Sequence, residues 1–338
     1  MRLAVLGLGF MGSTHLKALS GVRGAELVAV YSQDEKKLAG DLRSVHGNLG
    51  GGGEKVDLRG ITQHRQLEDV LADRDVEAID VCLPTDLHEV VAVEALRAGK
   101  HVLVEKPMAL DAYGVDRMLT AASRYKRTLM TAHVLRFVPA YVALRQVTEN
   151  NRLGLLRYAM FRRRCASPGW SGWLQDAARS GGGVFDLLIH DADMCLHLFG
   201  KPDAVSATGF CDLPSGIDCI DAQLFYPHGG VVSIAGGWHH PGKYPFSMEY
   251  TVTLEGGTVD YSSTGRTATL YTPDGAATEL DGGARDGYAA EIEYFVDCCN
   301  AQRAPELCPP RESADAVKLM LLLLEARNRS GRKMLCRM

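Results

Sequence analysis

The chain has 338 residues, 46% of them hydrophobic and 23% charged, with a net charge of -4. That length supports two buried cores, and the slightly acidic balance excludes the broad basic footprint of a general nucleic-acid or membrane-surface binder. Nine cysteines without CxxC spacing exclude a zinc ribbon and read as reduced, mostly buried thiols of a cytoplasmic protein.

The N-terminus begins Met1-Arg2-Leu3-Ala4-Val5-Leu6, a short apolar strand that runs into glycines rather than a cleavage site, so it does not read as a signal peptide. No apolar run reaches the length of a membrane span; the longest candidate, Met320 to Leu324, lies between Lys318 and Glu325. Gly7-Leu8-Gly9-Phe10-Met11-Gly12 follows that first strand and opens a helix over 11–20. Gly7 permits the tight turn, Gly9 lets backbone approach a pyrophosphate, and Gly12 allows close helix–strand packing. A GxGxxG run alone is weak. Here the strand before it and the helix after it make dinucleotide binding the reading, against a merely tight turn.

Leu27 to Tyr31 is a second strand, and 34–44 looks helical. An NAD-preferring domain usually ends this strand in Asp or Glu, which binds the ribose 2′-hydroxyl. Ser32 and Gln33 stand there instead, and Asp34 comes slightly late. Ser32 could bond a 2′-phosphate and Lys36 or Lys37 could neutralise it, although the ordinary reading of those lysines is a solvated helix face. The balance leans toward NADP or dual use over NAD alone. Gly47 to Gly53 reads as a flexible loop without apolar periodicity.

The alternation resumes with a short helix over 66–71 and a strand from Ala78 through Leu83, stopped at Pro84. A helix over 86–98 ends at Gly99, a strand runs His101 to Glu105, a helix covers 111–124 and a strand Thr128 to Ala132. Strands alternating with helices imply a parallel, doubly wound sheet. Ligands bind at the carboxyl ends of such strands. The turn Leu83-Pro84-Thr85, with His88 following, and the strand end Glu105-Lys106 are therefore candidates to line the cofactor site, with Gly7, Gly9, Phe10, Met11, Gly12, Ser32 and Gln33.

The pattern changes near 132–138, which sets a dinucleotide-binding domain at 1–133 and a second domain at 134–338. A helix covers 138–150 and an Arg-rich strand runs Leu156 to Arg164. From Ala204 to Thr272, period-2 runs joined by glycine turns predict a largely antiparallel sheet. Helices near 287–301 and 312–329 close the chain.

Between these lies Gly181-Gly182-Gly183 and an apolar helix from Val184 to Leu198. Asp186 and His190 are four apart and share a face, with Asp193 three residues on. A carboxylate near a histidine raises and orients the imidazole, as proton transfer at a hydroxyl or carbonyl requires. The plainer alternative is a capping Asp and a satisfied core His. A metal site from His190, Asp191 and Asp193 is disfavoured, because Asp191 points away and no zinc-type spacing supports it; no metal is expected.

Trp170, Trp173 and Trp238 are the only tryptophans. One, with Trp173 placed nearest to the Asp186 helix, could stack on a sugar face, while packing explains the others. His239 and His240 should point to opposite faces of a strand. Arg162, Arg163 and Arg164 could bind an acidic group, or line a solvated edge or an interface.

Taken together, these motifs resemble the Gfo/Idh/MocA oxidoreductase family over nearly the whole chain. The residues that carry the resemblance are Ala98 to Pro107, the Gly181–Gly183…Asp186…His190…Asp193 run, Arg136 to Tyr141, and Tyr288 to Ile292. The resemblance implies a Rossmann domain followed by an α+β domain with a large open sheet, through which homodimers or homotetramers form. It also implies NAD(P)-dependent hydride transfer at a carbon of a sugar, cyclitol or related molecule. Carried over by position, Lys106, Asp186 and His190 form the catalytic set: His190 as general acid/base, Lys106 bonding the reacting oxygen, Asp186 orienting substrate and tuning His190. Two other functions share this fold: a non-catalytic dinucleotide sensor, and an enzyme recycling bound cofactor for lyase, glycosidase or epimerase chemistry.

Overall fold

The computed structural model describes residues 1–47 and 53–338. The chain forms two compact units, Met1–Val134 with Arg285–Ala314, and Leu135–Ala284 with Asp315–Met338. They are not the two consecutive stretches expected from the sequence. The chain returns to the first unit at Arg285, and the penultimate helix belongs there.

The first unit runs β1 (Arg2–Leu6), α1 (Phe10–Leu19), β2 (Glu26–Tyr31), α2 (Glu35–Leu38), β3 (Thr62–His64), α3 (Leu67–Ala72), β4 (Ala78–Val81), α4 (Thr85–Arg97), β5 (His101–Glu105), α5 (Ala112–Tyr125) and β6 (Leu129–Ala132). Its six strands are all parallel, in the order β3-β2-β1-β4-β5-β6. The chain order reverses between β1 and β4, the switch point where a doubly wound sheet opens a crevice at its carboxyl edge. β1, β4, β5 and β6 are apolar and almost wholly buried because helices cover both faces.

One local expectation fails for an identifiable reason. The helix expected over 34–44 is a single turn: Asp34 caps it, its carboxylate accepting from the amides of Lys36 and Lys37, and Gly40 at φ +79° ends it. The glycine-rich loop falls largely at 48–52, outside the described residues. The short edge strand β3 follows it and was not anticipated from its three polar residues.

The second unit contains α6 (Pro139–Thr148), β7 (Leu156–Ala166), α7 (Ala177–Ser180), α8 (Gly183–Phe199), β8 (Ala204–Asp212), β9 (Ile217–Phe225), β10 (Val231–His240), β11 (Ser247–Leu254), β12 (Gly257–Ser262), β13 (Arg266–Tyr271) and β14 (Ala277–Glu279). In the first unit α9 (Gly287–Asn300) packs on α1, and α10 (Pro310–Asn328) then leads to β15 (Met334–Leu335). The second sheet has nine strands, β14-β13-β12-β11-β7-β10-β9-β8-β15. Only β7 and β10 pair in parallel; every other pair is antiparallel. β7 alternates strictly, with Ala159, Phe161, Arg163 and Cys165 buried on the face that α8 covers.

Candidate active site

In the first unit the phosphate turn is held by backbone contact. Gly7 sits at φ +95°, and a side chain there would meet the Cys82 carbonyl at 2.5 Å. A Cβ on Gly12 would stand 1.8 Å from the Gly7 oxygen. A Cβ on Gly9 would meet nothing within 4 Å, so its backbone faces open space. α1 starts immediately behind, with no side chain capping its first turn and no acid in it. An uncapped helix start behind exposed glycine backbone suits a pyrophosphate. Phe10 and Met11 are half-buried at that start.

At the end of β2, Ser32 is buried and its Oγ accepts the Asp34 amide at 3.1 Å; Gln33 is exposed. Leu83 and Pro84 are half-buried at the mouth of the neighbouring turn, and Thr85 is buried. His88, expected near the cofactor, is turned into the protein. It is 1% exposed, and its two ring nitrogens each stand 2.8 Å from a carbonyl, that of Pro107 and that of Leu83. Burial lowers its pKa, against the pull of the two carbonyls. It bridges the two strand-end turns. Glu105 is likewise turned inward, its carboxylate beside His15 and accepting the Lys106 amide at 3.0 Å. Lys106 follows across a cis bond to Pro107, and from Val102 to Ala109 it is the one residue not buried.

The second unit holds the other two candidates. Each glycine of the run before α8 has a physical reason. Gly181 and Gly182 adopt φ of +81° and +90°, and a Cβ on Gly183 would stand 2.5 Å from the Trp238 ring. The helix start is capped from outside by Asp218, whose carboxylate accepts the Val184 amide at 2.8 Å and pairs with Arg327 at 2.6 Å. From Gly182 to Leu196 every residue is buried except Asp186 and His190. Asp193, on nearly the same face, is bound by both prongs of Arg136, at 2.9 and 2.6 Å. Asp191 is bound by Arg163 at 2.8 and 3.1 Å. Neither carboxylate is open to a ligand. Asp186 and His190 are the pair that α8 presents.

The three arginines do not act as one cluster. Arg163 points inward, while Arg162 and Arg164 point to the opposite face and share Glu249 at 2.8 and 2.7 Å. Trp238 is a core residue at 2% exposure, Trp173 is half-buried and Trp170 is 39% exposed. His239 and His240 do not take opposite faces. The register slips between Trp238 and His240, the two rings stand 4.0 Å apart, and His240 stacks on Tyr244. All nine cysteines are free. Among the described residues no helix is long and apolar enough to cross a membrane.

Residues 1–133 match the NAD-binding Rossmann fold of an oxidoreductase family, and residues 141–260 match the Gfo/Idh/MocA C-terminal domain of the same family. The chain belongs to the Gfo/Idh/MocA family. The inositol 2-dehydrogenase of Rhizobium meliloti strain 1021 is 33% identical over 62% of this chain and 58% of its own length. The UDP-N-acetylglucosamine 3-dehydrogenase of Acidithiobacillus ferrooxidans is 26% identical over 91% of both chains. Among solved structures, the aldose-aldose oxidoreductase of Caulobacter crescentus shares the fold at a TM-score of 0.83, with 20% identity and 99% of each chain covered. Three curated inositol dehydrogenases are matched over only 55–60% of their own length.

Seen as a Gfo/Idh/MocA chain, the Glu105-Lys106-Pro107 strand end has a supporting residue that sequence reasoning passed over, His15. Its signal was Asp80, a charged residue in the middle of the otherwise apolar Ala78–Val81, which requires a buried partner. Arg136 lies in a family motif; the signal for its pairing, an Asp193 on an apolar helix, stands 57 residues away.

Proposed function

We propose that this chain is an NAD(P)-dependent oxidoreductase that moves a hydride between nicotinamide and a hydroxyl-bearing carbon of a sugar, cyclitol or related polyol. The observation that carries the reading is the exposure pattern of α8: from its start to Leu196, with both other acids held by arginines, Asp186 and His190 are the two residues not buried. The names of the dehydrogenase relatives support the substrate class. When bound, the nicotinamide supplies the hydride acceptor or donor. His190 takes the hydroxyl proton on oxidation and returns it on reduction. Asp186, one turn earlier, orients the ring and the substrate. Lys106 hydrogen-bonds the reacting oxygen and favours its developing negative charge.

Cofactor choice in this reading leans to NADP or dual use. Ser32 replaces the ribose-binding acid, and the nearby Asp34 carboxylate is held by the cap of α2. Apparent affinities for NAD and NADP decide it, and a strong NAD preference overturns the lean. The same reading includes a homodimer or homotetramer through the nine-stranded sheet, α8 lying on one face and Arg162, Arg164 and Glu249 standing on the other. Sedimentation velocity checks this; a monomer at micromolar concentration contradicts it.

The reaction is tested by incubating the protein with a panel of sugars and cyclitols and following nicotinamide absorbance. Lys106→Ala and His190→Ala should each lower kcat by about 10²–10⁴-fold while leaving cofactor affinity close to that of the parent. Variants that turn over at the parent rate overturn the assignment.

A further inference from the structure

Asp80, in the middle of β4, is 0% exposed. A carboxylate there without a partner would be strongly destabilising. Its partner is His15 of α1, also 0% exposed, with Nδ1 2.8 Å from Oδ2. The other ring nitrogen, Nε2, stands 3.2 Å from Oε1 of Glu105 at the end of β5. The second oxygen of Glu105 accepts the backbone amide of Lys106. Asp80 holds the ring by a hydrogen bond, while the Nε2–Glu105 approach lacks hydrogen-bond geometry and acts by charge; a ring set between two carboxylates suits an imidazolium. Burial alone would lower this ring's pKa, but Asp80 and Cys82 together outweigh it and hold the ring well above its ordinary value.

Other groups face the same ring. Cys82 lies at the end of β4, its sulfur 3.5 Å from both His15 and Asp80. Burial pushes that thiol up, so it stays protonated. From α9 come Tyr288, its ring centroid 6.0 Å from that of His15, and Glu291, with Asp286 at the helix start. Glu291 is 0% exposed and neither of its carboxyl oxygens has a hydrogen-bond partner. Burial raises its pKa far above the usual range, so it is neutral. Lys106 and His88 face Glu105 from the other side. The set His15, Asp80 and Cys82 has the composition of a metal site. Its closest pair, at 2.8 Å, is at hydrogen-bond separation, shorter than the roughly 3.3 Å that two ligands on one tetrahedral zinc would keep.

We propose that His15 is a positioning residue for Lys106, an imidazolium that ties β4 to the end of β5 through Asp80 and Glu105 and thereby fixes the backbone from which the lysine side chain leaves. The proposal rests on the oxidoreductase reading. The link Asp80–His15–Glu105–Lys106 N runs from the strand beside the switch point to the candidate catalytic residue. His15 itself is buried and touches no substrate. Glu105 is held below the ordinary glutamate range: burial would raise it, but His15, Lys106 and His88 outweigh that. Removing the imidazolium therefore raises Glu105, and its protonation weakens the charge-assisted bond that holds the Lys106 amide.

The test is His15→Gln, with His15→Gln/Asp80→Asn as the charge-balanced companion that carries the same measurements if the single variant does not fold. In folded, cofactor-saturable protein, kcat is expected to fall about 10- to 100-fold with cofactor KM within about threefold. The acid limb of the kcat–pH profile should move up by about one unit, because Glu105 has lost its cation. The double variant should regain thermal stability without regaining the original limb, since Glu105 still lacks a cationic partner. Amide exchange at Lys106 should quicken about tenfold in both variants. A folded variant with parent kcat and an unmoved acid limb overturns the proposal, as does unchanged Lys106 exchange. If the parent transfers hydride from no member of the sugar and cyclitol panel, the redox reading fails; Lys106 exchange still decides the positioning role.

Discussion

The two units bury carboxylates in different ways. On α8, Asp191 and Asp193 each receive their own arginine, in paired short contacts with both partners almost fully buried. Around His15, two carboxylates share one imidazole and a third acid, Glu291, has only its own proton. A guanidinium keeps its charge at any physiological pH, so the first arrangement is fixed. An imidazole and a buried acid titrate, so the second responds to pH. The fixed arrangement frames the presented residues Asp186 and His190. The titratable one stands behind Lys106.

The largest stability effect should come from breaking a fixed pair. Arg136→Met removes the guanidinium that binds both oxygens of the buried Asp193 and is expected to destabilise by about 3–5 kcal/mol, read as a fall in Tm. Adding Asp193→Leu should recover most of that loss, because an apolar pair of similar volume removes the buried charge. If Arg136→Met alone leaves Tm unchanged, the pair contributes no net stability and the contrast between the units weakens.

A smaller, pH-dependent effect should come from Glu291. Its pKa is raised in the folded protein, so above the unfolded value of about 4.3 the folded state holds a proton that the unfolded chain releases. Stability contributed by this acid therefore declines as pH rises. Glu291→Gln removes that decline, so its Tm advantage over the parent should be small near pH 5 and grow toward pH 8. His15 acts in the same direction, since its raised pKa means its contribution is full below the unfolded value near 6.5 and is lost as pH climbs through the folded one. Glu105 acts oppositely: its contribution is present above its unfolded value and lost as acid protonates it. A pH-independent Tm difference for Glu291→Gln would show that this acid is ionised in the folded protein.

Local pattern made much of this legible. The Gly7-Gly9-Gly12 turn, the βαβ alternation, the Lys106 strand end and the Asp186/His190 spacing are all set by residues within one or two elements. What the sequence concealed were pairings across long separations. Asp80 and His15 are 65 residues apart, Asp193 and Arg136 are 57 apart, and α9 returns to α1 across the whole second unit. Arg162, Arg163 and Arg164 read as one cluster in a line of letters; the period of two splits them between an inward ion pair and an outward one. The bulge that brings His239 beside His240 leaves no such trace in composition. The family match supplies the fold, and the exposure pattern of α8 singles out which of its acids are presented.

Direct hydride transfer is the claim on which the functional account depends, and isotope tracing tests it most directly. The protein is incubated with NAD or NADP and carbon-deuterated members of the sugar and cyclitol panel, and the nicotinamide is then analysed by mass spectrometry. The account predicts deuterium on the cofactor with the parent protein and label accumulating at least about 100-fold more slowly with His190→Ala. Substrate consumed with no deuterium on the cofactor, or labelling undiminished in His190→Ala, would contradict it.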